Sequence, residues 1–255
     1  MPPTIRATPL AFPVTNQGNF IMIGRIVLAA LLAGMAAGII MGGIQHVRIT
    51  PIILAAEVYE KAAEATEATT ATTATEMAHD HASEWEPADG WQRTLLTTLA
   101  SVIAGAGFAA AMAGVSLLTG LAITPRNGLI WGICGFLAVT VAPGAGLAPE
   151  LPGMPAGDLL SRQIWWAGTI VATGIGLYLI AIGREFKFIA LAIALIALPH
   201  LIGAPQPLTH ETTVPAGLAA AFVSNTVAAA AVFWSLIGLF LGLALQKFSK
   251  DVYAT

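Results

Sequence analysis

Six stretches of 17–30 residues carry no more than one charged side chain each: 20–45, 94–119, 128–146, 163–182, 186–202 and 216–245. A hydrocarbon core of about 30 Å is crossed by about 20 apolar residues in a helix, which satisfies every backbone N–H and C=O internally. The pattern predicts an all-α fold, a polytopic membrane helix bundle of about six transmembrane helices. The stretch from Gly128 is the weakest, because it runs into Pro143, Gly144 and Gly146, where its outer end is expected to break. Without it, five spans remain. Gly183-Arg184-Glu185 predicts a tight hairpin between the fourth and fifth spans. Gly34, Gly38 and Gly42 recur every fourth residue in the first span, a spacing that lets a neighbouring helix approach closely.

Composition agrees. Only 10 % of the residues are charged, against about a quarter in soluble domains. The first apolar run is longer than a signal-peptide core of about 7–15 residues and is read as a retained span. The single cysteine, Cys134, allows neither an intrachain disulfide nor a cysteine-based metal site. There is no phosphate-binding G-x-x-x-x-G-K-[ST] loop, no H-E-x-x-H and no Ser-His-Asp constellation, so no enzyme is indicated. No basic aromatic surface suggests nucleic acid.

Charge orients the bundle. With six spans, seven of the 11 basic residues fall on one side (Arg6, Arg25, Arg126, Arg184, Lys187, Lys247 and Lys250) and four on the other. Cytoplasmic loops carry the excess of Lys and Arg, which puts both termini in the cytoplasm. An inverted five-span arrangement gives the same count; the length and apolarity of Gly128–Ala142 favour six. In the six-span arrangement twelve of the 14 acids lie outside, and all five histidines sit at or beyond the outer ends of the spans. The chain is one transmembrane domain, 1–255, with a large acidic, histidine-bearing outer loop at 47–93. Within that loop 52–67 reads as helix, 68–75 is a Thr/Ala low-complexity run with nothing to bury, and order is expected to return at Trp85-Glu86-Pro87.

Imidazoles and carboxylates gathered on one face suggest a device that collects a cation. Glu57, Glu60, Glu64 and Glu67 share one helical stripe, where like charges destabilise the helix by a few tenths of a kcal/mol per pair. A bound cation would relieve this; a solvated face offset by Lys61 is the plainer reading, with Glu57 set apart by its closeness to the membrane. His79-Asp80-His81, followed by Glu84, suits divalent nickel, cobalt, copper or zinc as a capture site, or is simply two solvated histidines. His46 and His200 end the first and fifth spans at the same outer level. They either converge on an ion path or cap helix ends near lipid headgroups. Asn225 lies about 13–15 Å into the sixth span at about 1.5 Å per residue, as a deeper carbonyl ligand or as a hydrogen-bonding partner of a neighbouring helix. Trp165-Trp166 fits an interfacial aromatic belt. Glu150 and Asp158 either face the vestibule, or Arg162 pairs with Asp158 at (i, i+4).

Four segments carry a family likeness: Thr50-Pro51-Ile52-Ile53-Leu54 leading into Glu57-Val58-Tyr59-Glu60; Asp89-Gly90-Trp91-Gln92-Arg93-Thr94; Pro149-Glu150-Leu151-Pro152-Gly153-Met154-Pro155 through Arg162-Gln163 and Trp165-Trp166; and Pro199-His200-Leu201-Ile202-Gly203-Ala204-Pro205-Gln206-Pro207. Through them, and over almost its whole length, the chain resembles the CbtA family of predicted cobalt transporter subunits. The resemblance implies cobalt uptake, often linked to cobalamin synthesis, and a small single-span CbtB-like partner with a histidine-bearing tail. Two positions depart from expectation: Ala55 stands where a second acid near Glu57 is expected, and the large loop holds only two histidines. The resulting expectation is a multi-pass subunit of the cell inner membrane that passes cobalt, with nickel as the competing ion, by way of His46, His200, Glu57, His79, His81 and Asn225. No resident cofactor is expected. A non-transporting membrane scaffold is the alternative.

Overall fold

The computed structural model describes residues 16–71, 87–183 and 185–250. Among the described residues the regular structure is helical throughout, without a strand. The chain opens on α1 (Asn16–Ile44), which passes through a π turn (Gln45–Ile49) into α2 (Thr50–Ala71). It continues with α3 (Trp91–Thr119), then α4 (Gly128–Phe136), a second π turn (Leu137–Val141) and the single turn α5 (Ala142–Gly144). It closes with α6 (Leu159–Ile182), α7 (Phe186–Ile202) and α8 (Ala216–Lys250). Among the described residues, four helical stretches are long and apolar enough to cross a membrane: Met22–Ala63, Trp91–Thr119, Leu159–Ile182 and Ala216–Phe248. Gly128–Gly144 and Phe186–Ile202 are apolar but shorter.

The first span does not stop where the polar run Gln45-His46-Val47-Arg48 suggests. The helix continues to Ala71, so the first part of the expected outer loop, 47–71, is helix; 72–86, the remainder of the low-complexity run included, lies outside the described residues. Pro51 explains how the helix survives. Proline lacks the N–H for an i→i−4 bond, and its ring crowds the carbonyl four residues back. Immediately before it the helix widens, and Thr50 N–H bonds to Gln45 O, five residues back.

Small residues set the packing. α1 lies against α3 with Gly34 opposite Gly105, Gly38 opposite Ser101 and Gly42 opposite Thr98. A methyl group on Gly38 would meet Ser101 O and Val102 Cα at 2.5 Å, so the two backbones touch. α4 meets α8 in the same way, Gly128 and Gly132 facing Gly238 and Trp234, while Gly176 seats α6 on Ile196 of α7. The core between α1, α3 and α8 is built from Ala30, Ala33, Ala37, Met112, Phe233, Ile237 and Leu241. Phe108 fills the gap beside it, edge-on to Phe233 with ring centroids 6.4 Å apart. Outside, Ile39, Ile103, Val171 and Ile193 are exposed. An apolar exterior over an alanine and glycine interior suits a bundle solvated by lipid.

The bundle has two chemically distinct ends. At one, Thr94 meets His46 and Thr213 meets Tyr59. At the other, Arg25 Nη1 donates to Phe248 O at 3.5 Å. At this second end α6 stops at Ile182 and α7 starts at Phe186.

Candidate functional site

All three described histidines, His46, His200 and His210, lie at the first end, at or beyond the ends of α1, α7 and the α7–α8 connection. Every described acid except Glu185 lies there too. The opposite end carries Arg25, Arg126, Lys187 and Lys247.

Because α2 continues beyond the π turn, Glu57 stands two helical turns past Thr50 and reaches the start of α3. There Arg93 holds it by one short bond, Nη1 to Oε1 at 2.6 Å, with a longer second contact, Nη2 to Oε2 at 3.4 Å. Both side chains are largely withdrawn from solvent, 17 % exposed for Arg93 and 16 % for Glu57. Arg93 Nε also pairs with Asp89 at 3.1 Å, one turn earlier on its own segment. The carboxylate expected to meet a cation is thus already held by a guanidinium, which joins α2 to α3.

His46, within the π turn, is exposed, and its Nδ1 is 2.9 Å from Thr94 Oγ1. Thr94 donates its one proton to Gly90 O at 3.0 Å. When that proton serves Gly90 O, the hydroxyl accepts from His46, and in that tautomer the imidazole proton is on Nδ1 and the Nε2 lone pair is free. This is the orientation that a metal-ligating histidine takes when a neighbour fixes its tautomer. Beside it, Ser101 Oγ lies 2.8 Å from Thr97 O and 3.2 Å from Gln45 Oε1, and its single proton serves one of the two at a time.

His200 sits elsewhere, edge-on to Trp165 of α6 with centroids 5.8 Å apart. Trp165 Nε1 donates to Pro199 O at 3.0 Å and so pins the end of α7. His46 therefore turns to α3 and His200 to α6. Asn225 is half-buried in α8, and its Nδ2 donates to Ala221 O at 2.8 Å, within its own helix. That bond leaves the carboxamide oxygen as its remaining acceptor. His79 and His81 lie outside the described residues, as do the side chains of Glu64 and Glu67. Among the described residues, no three His, Cys, Asp or Glu side chains come together closely enough to hold a metal ion.

Arg162 pairs with Glu150, Nη2 to Oε2 at 2.7 Å, and not with Asp158. Asp158 is the N-cap of α6: its Oδ1 accepts from Ser161 N at 2.9 Å and from Ser161 Oγ at 2.6 Å. A capping carboxylate folds over the first turn, away from the (i, i+4) stripe. The Ser161 hydroxyl and backbone N–H hold the Asp158 carboxyl below its usual range. The two arginine partnerships are the functional geometry that the sequence reading missed. The Asp89-to-Arg93 spacing of four was the available signal for one of them; nothing local pointed to Glu57 or Glu150.

No curated protein and no solved structure matches the chain. A family model described as "Probable cobalt transporter subunit (CbtA)" matches residues 23–246, which takes in most of α1, most of α8 and everything between them. The membrane-length apolar helices agree with a membrane subunit, and the chain belongs to the CbtA family of probable cobalt transporter subunits.

Proposed function

We propose that this chain is the membrane-embedded subunit of a cobalt uptake system, which collects the divalent ion at its histidine-bearing end and passes it into the helix bundle. The observation that carries this reading is the segregation of His46, His200, His210 and all but one of the described acids to one end of an apolar bundle. In this reading the helices form six spans with both termini cytoplasmic, in the inner membrane. The 17 residues of Gly128–Gly144 and Phe186–Ile202 sit at the lower limit of spanning length. The acidic end then faces outward and the basic end inward, as the positive-inside rule requires.

An arriving aqua ion exchanges water for imidazole and carboxylate. His46 offers Nε2 at the mouth of the α1–α3 pair. Glu57 becomes a ligand only when Arg93 releases it, which makes that ion pair a competitor of the cation. His200 lies at the rim against Trp165, the 79–81 pair serves as a capture arm, and Asn225 offers a carbonyl deeper in α8. A membrane potential drives a divalent ion inward by roughly 4.6 kcal/mol per 100 mV, twice the single-charge value. The partner is a small single-span subunit of CbtB type, and nickel is the competing cargo.

The test is radiolabelled cobalt uptake in a metal-starved host expressing the chain with and without that partner, with nickel as competitor. Partner-dependent uptake that nickel blocks poorly is expected. Unchanged uptake in the His46→Ala/His200→Ala double variant would overturn the ligand assignment. No uptake despite verified membrane insertion would favour a non-transporting scaffold.

A further inference from the structure

We infer that the cation's entrance is a separate cavity, walled by the two proline-rich connections at the histidine-bearing end and served by His210. The inference deepens the transport reading and rests on it. The cavity has a volume of about 250 Å³ and lies between the α5–α6 and α7–α8 connections, with Ala219 and Val223 of α8 as its floor. That volume is many times the roughly 10–15 Å³ that one water needs in such a cavity, so a hydrated divalent ion fits without prior dehydration.

The polar lining is biased towards acceptors. Gln206 donates to Ala204 O at 3.2 Å and makes a longer contact with Gly146 O at 3.4 Å, so its carbonyl oxygen is the acceptor it can offer. Thr212 donates its proton to Gly153 O at 3.1 Å. Arg162 engages one oxygen of Glu150, Oε2, and a carboxylate has two. His210 is exposed, and among the described residues its imidazole makes no hydrogen bond. One imidazole with carboxylate and amide oxygens, and no thiolate, suits a first-row divalent ion such as cobalt or nickel. Pro149, Pro155, Pro205 and Pro207 line the same cavity and restrict the backbone that carries these groups.

The floor leads inward. Thr226 follows Val223 by three residues and so continues the same face of α8 one turn deeper. Its Oγ1 is buried without a hydrogen-bond partner among the described residues. A polar atom left unpaired one turn beyond the lining residue Val223 is the next foothold for an ion that leaves the cavity.

The experiment uses the full chain in lipid nanodiscs, titrated with cobalt(II) chloride alone, followed by optical absorption and calorimetry. Uptake kinetics are measured in cells in parallel. His210→Ala should weaken cobalt binding at least tenfold and raise the half-saturating cobalt concentration for uptake to match, with melting temperature unchanged. Val223→Phe fills the cavity while keeping every ligand, and should shift both readings in the same direction. Binding and half-saturation within twofold of the parent in either variant would overturn the inference. Equal cobalt transport by the parent and by His210→Ala removes the cavity and keeps the transport reading. A parent that binds cobalt through His210 yet transports none removes the transport reading and keeps the site.

Discussion

Breaking the Glu57–Arg93 pair tests whether this end of the bundle is held together by the charges that sequence patterning assigns to a cation. The 2.6 Å contact is a charged hydrogen bond, worth about 1.5–3 kcal/mol. The 3.4 Å contact lies beyond the usual hydrogen-bond range and adds little. At 17 % and 16 % exposure the pair should exceed the roughly 1 kcal/mol ceiling of surface pairs. It should stay below the roughly 3–5 kcal/mol lost when one partner of a fully buried pair is removed. Asp89, 72 % exposed, contributes at most about 0.5 kcal/mol. The expected coupling between Glu57 and Arg93 is therefore about 2 kcal/mol. It is measured by a double-mutant cycle of Arg93→Met, which retains the alkyl stem, Glu57→Ala and the double variant, each unfolded reversibly in micelles. A coupling below about 0.5 kcal/mol would refute the clamp. The same variants separate clamp from ligand. If Arg93 competes with the cation for Glu57, Arg93→Met tightens cobalt binding while it loosens the fold, and Glu57→Ala weakens both.

Gly38→Ala should destabilise the α1–α3 contact by about 1–3 kcal/mol, because the new methyl meets backbone atoms at 2.5 Å and no side chain can yield. Gly43→Ala, with nothing within 4 Å, is the control on the same helix and should be neutral or stabilising in the same melts. Trp165→Phe removes the bond to Pro199 O and should lower stability by about 1 kcal/mol in thermal unfolding, with cobalt half-saturation moving only if His200 is a ligand. Asp158 has a folded-state pKa below its ordinary value, so its contribution is present above the usual carboxylate range and is lost as pH falls through the folded value. The stability difference between the parent and Asp158→Asn should accordingly narrow on acidification; a constant difference would show that the cap is not carried by charge.

The apolar segments were legible because lipid imposes length and polarity on every helix that crosses it. The α7 limits are those of the apolar run itself, and the Gly34, Gly38, Gly42 spacing correctly marked a packing face. The matching face of α4 and α8 was overlooked, although Gly128 and Gly132 have the same spacing as Gly238 and Gly242. What could not be read were pairings between distant positions. Glu57 and Arg93 are 36 residues apart, and Glu150 and Arg162 are 12 apart, distances at which helical periodicity says nothing. His46 and His200 looked alike in sequence because each ends an apolar run. Their surroundings differ: Thr94 fixes one and Trp165 the other.

The two π turns are the departure from regular helix with the plainest cause. Gln45–Ile49 is followed by Thr50 and Pro51, and Leu137–Val141 by Ala142 and Pro143. In both, the residue before the proline donates to the first residue of the turn, Thr50 N to Gln45 O and Ala142 N to Leu137 O. The repetition ties the widened turn to these two prolines, whereas Pro199, in the last turn of α7, stands in its helix without one. A π turn is an α-helix with one residue inserted, so deleting Val47, which is 68 % exposed, restores α geometry without turning the faces of α1 and α2 relative to each other. It also returns the ring of Pro51 to the carbonyl that it crowds, at about 3 kcal/mol. The deletion alone should therefore destabilise the chain by about that amount, and adding Pro51→Ala should recover most of it. If the deletion is harmless, or the second change rescues nothing, the π turn owes its existence to the contacts of Gln45 and His46 with α3, and proline is incidental. A rescued double variant that folds but no longer takes up cobalt would tie the turn to the placement of His46, since the Thr94 contact is the one that a narrower helix must rebuild.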